Sequence, residues 1–355
     1  MSIFSSHISI KEKALFYENV ANLLEGWVSL LAALKGLKER LPDGMLSRGV
    51  DNLLFFVESG DSVNVAMRKL PNFFDEQEIA IVESGEQTGM IQKSFLAVAA
   101  DLRSQEELRS KISSAMTYPI IIMIFLCIAI SVVMIYVIPQ LMPIIGNLWG
   151  DLPWTTRSLI GTSEFMQNNI FFIIALIIAV VLVFQWYTRT EGGKLWWDKV
   201  KIIAPITGMV YKNYLIVRVM STFSLLNSSW VSIIKTLRLT GASAGNTIIK
   251  NLFNQISDDV SHWVKISEAI KNRDPGSFFF TPDINQMIES AEKTSTIGET
   301  VSKIAIQYKR EVDSALATMV KFIEPIALLL AWIFVLWFAI AIFSAIMQIV
   351  TAAGG

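Results

Sequence analysis

Three long runs without a charged residue constrain this chain more than any other feature of its sequence. They cover residues 118–138, 169–187 and 325–350. Each is close to or above the ~20 residues that an α-helix needs to cross the hydrocarbon core of a bilayer. Buried helices of soluble proteins carry shorter apolar runs, and the mean hydropathy of +0.49 is also high for a soluble chain. The sequence therefore predicts three transmembrane helices.

The distribution of basic residues predicts how the three spans are oriented. Lys and Arg number 12 in residues 1–117, one in 139–168, 17 in 188–324 and none in 351–355. Short loops rich in Lys and Arg stay on the cytoplasmic side of a membrane. We therefore expect the N-terminus and both large segments in the cytoplasm, and the short loop and the C-terminus on the opposite side.

The two large segments resemble one another, which indicates an internal repeat. Trp-Val-Ser at 27–29 recurs at 230–232, an offset of 203, and residues 82–88 align with 288–294 at an offset of 206. The change in offset implies an insertion of three residues between the two blocks of the second copy. Repetition at a fixed distance is typical of duplicated structural units.

Apolar residues at a spacing of three and four, with weak strand signals, predict helices throughout both copies. The expected architecture is an all-α membrane protein with two homologous cytoplasmic antiparallel helix-bundle domains and three transmembrane helices. In chain order we expect repeat 1 in 1–117, a first span in 118–138, a periplasmic loop in 139–168, a second span in 169–187, repeat 2 in 188–324, a third span in 325–350 and a periplasmic tail in 351–355.

Capping signals mark one helix start in each copy. Asp75 and Glu78 have the spacing of a capping box, at the start of a helix over 76–111 that is expected to be interrupted near Gly85 and Gly89. In the second copy, Thr281 precedes Pro282, and proline is favoured at the first position of a helix.

Prolines mark the ends of the spans. Pro119 and Pro325 align at the offset of 206, and each is predicted to open a span. Pro139 and Pro143 are predicted to terminate the first span, because proline interrupts the hydrogen bonds of a helix interior.

Residues 83–89, Glu-Ser-Gly-Glu-Gln-Thr-Gly, resemble the Gly-Glu-x-x-Gly signature of the bacterial secretion-system F family. That family includes the type II secretion F protein and the platform protein of type IV pili. Pro-Asn-Phe-Phe at 71–74, a long helix and Tyr-Pro at 118–119 complete the similarity. The second copy departs from the signature, with Ala291 and Ser295 in place of the glycines. The chain also begins almost at the first bundle, and in this short N-terminus it resembles the platform proteins of type IVb pili.

The resemblance implies a scaffold in the bacterial inner membrane that couples a cytoplasmic hexameric assembly ATPase to the insertion of pilin or pseudopilin into a growing fibre. It also implies contacts with other inner-membrane assembly proteins, with the lipid bilayer and with further copies of the chain. The F protein of a type II secretion system remains an alternative function. A small membrane transporter is a less favoured one, because the three spans carry no charged residue for a transport pathway.

Two pairs of glutamates are the candidate partner contacts. Glu83 and Glu86 lie three residues apart on one helical face, and Glu289 and Glu292 repeat the arrangement. They suit an ATPase-contact patch or oxygen ligands for a divalent cation. The alternative is that they are solvated carboxylates or salt-bridge partners within the bundle. Gly85, Gly89, Pro119 and Pro325 are expected to be structural.

Enzyme chemistry has no support in the sequence. Phosphate-binding and zinc-hydrolase motifs are absent, and the lone cysteine, Cys127, lies in an apolar run. We therefore expect no catalytic residue, no cofactor and no confident metal site, so any energy from ATP must come from another chain. The net charge of −1 gives no indication of nucleic-acid binding.

Overall fold

A computed structural model describes residues 8–42, 44–145, 153–205 and 207–353, and within them every regular element is a helix. The first half contains α1 (Ile10–Glu25), α2 (Leu30–Lys38), α3 (Met45–Glu58), α4 (Val63–Arg68), α5 (Glu76–Thr88), α6 (Ile91–Val132), a π-helical turn (Val133–Val137), α7 (Ile138–Ile145), α8 (Trp154–Asn168) and α9 (Ile170–Arg189). The second half contains α10 (Glu191–Ile203), α11 (Thr207–Ser228), α12 (Ile233–Ser243), α13 (Thr247–Ser261), α14 (Ile266–Arg273), α15 (Pro282–Thr294) and α16 (Ile297–Ala353).

The helices α1–α6 recur in order as α11–α16, as the sequence repeat predicts. The start of α14 follows that of α4 at an offset of 203, whereas α15 follows α5 at an offset of 206 at both ends. The three-residue insertion therefore lies between the start of α14 and the start of α15, where α14 has eight residues and α4 has six. There the carboxylate of Asp274 accepts hydrogen bonds from the backbone N–H groups of Phe278, Phe279 and Phe280 at 2.8–2.9 Å, which gives the longer loop a fixed path.

The first compact unit contains the residues up to Lys111 together with Asp198–Ser314, and so includes the bundles of both repeats. Each repeat has its own apolar core. In repeat 1 the rings of Tyr17 and Phe95 meet edge to face with centroids 5.3 Å apart. In repeat 2 Phe279 is fully buried. Edge-to-face pairs add about 0.5–1.5 kcal/mol to the free energy of area burial. Leu226 of α11 joins the core of repeat 1, so the two bundles are packed together.

The second compact unit contains Ile112–Trp197 and the chain from Ala315 onward. Within the described residues, three helices are long and apolar enough to cross a membrane, which confirms the prediction of three spans. The first and third spans are not separate helices, because α6 and α16 continue from the bundles into the apolar runs. Pro119 and Pro325 therefore lie inside long helices and do not begin them.

Pro139 and Pro143 do not interrupt the helix of the first span. The helix continues through both prolines to Ile145, after a π-helical turn at Val133–Val137. A hydroxyl of α8 stabilises this turn, since Ser163 donates to the carbonyl oxygen of Met134 at 2.5 Å. Neighbouring side chains can thus satisfy the backbone groups that a proline leaves unpaired in a membrane helix.

Much of the segment expected to be a periplasmic loop is helical. The helix α8 packs against the first and third spans around Leu159 and Ala341, and Thr156 donates to the carbonyl oxygen of Ala341 at 2.6 Å. Residues 146–152 of this loop, and the last two residues of the predicted tail, lie outside the described residues.

Candidate functional site

The signature segment forms the second half of α5 and the turn that follows it. The helix begins with the predicted capping box of Asp75 and Glu78, which is confirmed, and ends at Gly89 in the left-handed conformation with φ of 72°. Ser295 has the equivalent conformation after α15, with φ of 57°. A Cβ on Gly85 would lie 2.1 Å from the Ser94 hydroxyl oxygen, so glycine allows α6 to approach α5 closely.

The carboxylates of Glu86 and Glu292 are turned toward their own repeats. Glu86 accepts hydrogen bonds from the backbone N–H groups of Val63 and Asn64 at 2.6 and 2.9 Å, and from the Asn64 side-chain amide. Glu292 likewise accepts hydrogen bonds from the backbone N–H groups of Ile266 and Ser267, at 2.7 and 3.3 Å. Because the first N–H groups of a helix have no partner within it, each carboxylate caps the short helix α4 or α14.

Glu83 connects the two repeats. Its carboxylate lies 2.6 Å from the ammonium nitrogen of Lys235 on α12 and 3.6 Å from the guanidinium of Arg68 on α4. The neighbouring Ser84 donates a hydrogen bond to the carbonyl oxygen of Ser229, at the end of α11. This face of α5 is therefore occupied by the second repeat.

Glu289, the counterpart of Glu83, lies instead on an open surface. It pairs with Lys271 and Lys293 at 2.7 and 2.9 Å. Their hydrogen bonds, with that of Lys271 the larger contribution, lower the pKa of Glu289 to about 2. It lines an open pocket of about 250 Å³ between α14 and α15.

The structure thus separates four glutamates that the sequence treats alike. Glu86 and Glu292 bind backbone groups, Glu83 lies between repeats, and Glu289 faces solvent beside lysines. In the described parts of the chain, no three His, Cys, Asp or Glu side chains come together as a metal site would require. The role of the four glutamates as partner contacts stays a prediction, and the geometry favours Glu289 for it, because Glu83 is already engaged by the second repeat.

Three exposed tryptophans were missed as candidate contacts. Trp27, Trp230 and Trp263 expose 98%, 81% and 95% of their surface, and all three adopt positive φ angles of 61°, 58° and 68°. They follow α1, α11 and α13, respectively. The repetition of Trp-Val-Ser was the signal that could have identified the first two.

The backbone around each of these tryptophans forms a Schellman motif. Each donates its N–H to the carbonyl three residues before it, and the next residue donates to the carbonyl five residues before it, at 3.0–3.2 Å. Glycine is the usual residue at this left-handed position, and Gly60 occupies it in repeat 1 where repeat 2 has Trp263. An L-residue there costs roughly 1–2 kcal/mol, and side chains that remain 81–98% exposed recover little of it by burial.

A buried carboxyl group lies in the core of repeat 1. The carboxylate of Glu78 lies 2.7 Å from the Lys13 ammonium and accepts the Tyr17 hydroxyl at 3.0 Å. Burial is the largest influence on Glu78 and raises its pKa to about 7, although Lys13 opposes the change. The pKa of Tyr17 is also raised, first by burial and then by the adjacent carboxylate.

We expect stability to fall as pH rises through the interval between 4.5 and about 7. Over that interval the folded state keeps the Glu78 proton that the unfolded state loses. The difference between the two pKa values lowers the free energy of unfolding by about 3 kcal/mol across this interval. Thermal unfolding of the detergent-solubilised chain between pH 5 and 8 should show the fall, and Glu78→Gln should remove most of it. Glu76→Gln, at an exposed site in the same helix, is the matched control. If the thermal midpoint depends on pH equally in both variants, Glu78 is not the group responsible.

Comparison with known families gives a match to two segments of the chain. The model of type II secretion system protein F matches residues 16–139 and 219–345. Each segment begins within α1 or α11 and ends in or just beyond the first or third span. The duplication is thus also present at the level of the family model.

Curated relatives cover nearly the whole chain. A type IV pilus assembly protein PilC from Thermus thermophilus is 28% identical over 90% of this chain and 78% of its own length. The protein of the same name from Pseudomonas aeruginosa is 27% identical over 96% of this chain and 90% of its own length. A type II secretion system protein F from Aeromonas hydrophila is 24% identical over 98% of this chain and 88% of its own length.

Proposed function

Since the chain belongs to the type II secretion system protein F family, we propose that it is the inner-membrane platform of a type IV pilus machine. In this role it couples a cytoplasmic hexameric assembly ATPase to the insertion of pilin into the growing fibre. The PilC proteins of Thermus thermophilus and Pseudomonas aeruginosa are 28% and 27% identical to this chain, against 24% for the secretion F protein of Aeromonas hydrophila, which supports this choice. The F protein of a type II secretion system is the second candidate, supported by the relatives of that name.

The mechanism needs a rigid body that transmits motion of the ATPase, and the two repeats are tied together in ways that suit it. Besides the contact of Glu83 with Lys235, the long helices α6 and α16 are bridged by Lys111 with Asp313 at 3.0 Å and by Glu107 with Lys309 at 3.2 Å. Surface pairs of this kind contribute only about 0–1 kcal/mol each. Together with the shared apolar contacts of Leu226 they oppose sliding of one bundle against the other.

The duplicated exposed tryptophans are the observation that carries the proposal. Trp27 and Trp230 occupy equivalent positions, cost conformational energy and contact little within the chain. Tryptophan is among the residues that contribute most to protein interfaces. We assign to them, with Glu289, the contact with the ATPase. Pilin, other inner-membrane assembly proteins and further copies of the chain are the remaining partners.

Photo-crosslinking in cells tests this assignment. A photoreactive amino acid replaces Trp27 or Trp230 in turn, and the crosslinked product is identified by mass spectrometry. The expected partner is the assembly ATPase, whereas a photoreactive residue at Phe55, another exposed aromatic position, should give little product with it. Crosslinks to pilin alone, or none, would contradict the contact. Loss of exoprotein secretion instead of pili in a deletion strain would favour the second candidate.

The proposed platform has its N-terminus in the cytoplasm and its C-terminus in the periplasm, because the basic residues are concentrated in the two large segments. We expect alkaline phosphatase fused after Gly355 to be active and the same enzyme fused at Lys194 to be inactive. Green fluorescent protein at the same two sites should give the opposite pattern. Active phosphatase at Lys194 would overturn this orientation.

A further inference from the structure

The helix α10 follows the second span so closely that its position is tied to the end of that span. Only Thr190 separates α9 from α10, and its hydroxyl accepts the backbone N–H of Gly193 at 3.1 Å. A Cβ on Gly193 would lie 2.0 Å from the carbonyl oxygen of Tyr187. Glycine therefore allows the first turn of α10 to approach the last turns of α9.

Aromatic rings of the two helices meet at this junction. The rings of Phe184 and Trp197 are perpendicular, with centroids 4.8 Å apart, and those of Tyr187 and Trp196 are 6.2 Å apart. Trp and Tyr favour the layer between the hydrocarbon core and water. The junction thus has the composition of a membrane–water boundary, in the position along the chain where the apolar run of α9 ends.

The outer face of α10 carries large apolar residues around a lysine. Leu195, Trp196 and Ile203 expose 41%, 50% and 58% of their surface, and Lys199 is also exposed. At 3.6 residues per turn, these four positions fall within an arc of about 100°. Such a stripe would be costly in water, and it is typical of a helix that lies in the headgroup layer.

The charges near this face are mainly basic. Arg189, Lys194 and Lys199 are exposed, against the exposed Glu191. The other acidic residue of α10, Asp198, is buried and turned inward, where its carboxylate accepts the backbone N–H of Thr247 at 2.9 Å. The exposed charges therefore favour anionic headgroups over zwitterionic ones.

We propose that α10 is an interfacial helix that binds anionic phospholipid headgroups, with Leu195, Trp196 and Ile203 among the acyl chains. Only one residue separates α10 from the second span, so this face is within reach of the bilayer. For this reason we favour lipid over a protein as the partner that covers the face. The lysines bind phosphate groups at the membrane surface. The helix thus fixes the end of the second span at a defined depth.

Depth measurement in vesicles tests the proposal. A nitroxide is attached to Ile203→Cys in the full chain, in which Cys127→Ala has removed the natural thiol, and the protein is reconstituted in phosphatidylethanolamine with phosphatidylglycerol. Electron paramagnetic resonance then compares relaxation by oxygen with relaxation by a water-soluble nickel chelate. We expect oxygen to dominate at Ile203 and the chelate to dominate at Phe55→Cys, the matched exposed position on α3.

Two outcomes would overturn the proposal. Chelate access at Ile203 equal to that at Phe55 would put the face in water, and shielding from both reagents would show that protein covers it, whether a second copy or another part of the chain. The headgroup preference is measured separately, with spin-labelled phosphatidylglycerol. Lys194→Gln and Lys199→Gln should each lower its relative association roughly fivefold, while Lys250→Gln on α13 should not; equal effects would refute the preference for anionic lipid.

Discussion

Replacement of both Trp27 and Trp230 by glycine is expected to abolish pilus assembly without loss of stability. The two side chains are almost fully exposed at left-handed positions. Glycine relieves roughly 1–2 kcal/mol of backbone strain at each, which is partly offset by its larger entropy in the unfolded chain, roughly 0.5–1 kcal/mol. If the rings are contact residues, their loss removes two interface anchors that each contribute about 2 kcal/mol or more.

The measurements are pili counted on cells, the amount of the protein in the membrane fraction, and its thermal midpoint in detergent. The expected result is absence of pili, normal protein level and a midpoint equal to or above that of the parent. Trp263→Gly is the matched control, since repeat 1 already has Gly60 at that position, and it should have the smaller effect. Normal pili in the double variant would remove these tryptophans from the proposed ATPase contact.

Replacement of Glu86 and Glu292 by glutamine is expected to destabilise the fold more than the same replacement of Glu83 and Glu289. Each carboxylate accepts two backbone N–H groups with its two oxygens. Glutamine has one oxygen, so its amide would face a backbone donor and leave it without an acceptor. Leaving such a group unpaired costs roughly 1–3 kcal/mol. The two sites lie in different repeats, so the costs should add to roughly 2–6 kcal/mol, a large part of the 5–15 kcal/mol that stabilises a typical domain.

Glu83→Gln and Glu289→Gln provide the matched comparison, because these carboxylates pair with lysine side chains and not with backbone N–H groups. Ion pairs near a protein surface contribute about 0–1 kcal/mol each. We expect the 86/292 variant to have a clearly lowered thermal midpoint and reduced membrane level, and the 83/289 variant to stay folded with impaired assembly. If the 86/292 variant is stable yet assembles no pili, Glu86 and Glu292 are partner contacts and not caps. If the 83/289 variant assembles normally, those two serve only as ion pairs.

Features that depend only on residues close together in the chain could be predicted from the sequence. The three spans follow from the length and hydropathy of continuous runs, and the structure confirms them. The capping box at Asp75 follows from a spacing of three residues, and the break at Gly89 follows from a conformation that glycine favours. The repeat follows from matching words, although only the helix bounds locate the insertion before α15.

The roles of the four glutamates could not be predicted in this way, because each role depends on contacts with residues in other helices. Glu86 meets Val63, 23 residues before it, whereas Glu83 meets Lys235, 152 residues after it. The same spacing on one helical face cannot distinguish these partners. Glu289 differs from Glu83 for the same reason, since its ion-pair partners Lys271 and Lys293 both belong to its own repeat.

The exposure of the tryptophans is the feature that the sequence predicts least well. A large aromatic residue in a repeated apolar word is expected to be buried, and the sequence contains no sign that Trp27 and Trp230 point into solvent. Their exposure follows from the left-handed turn that ends α1 and α11, which directs the side chain away from the core while the following valine packs inward. That turn is fixed by hydrogen bonds that form only once the preceding helix is complete.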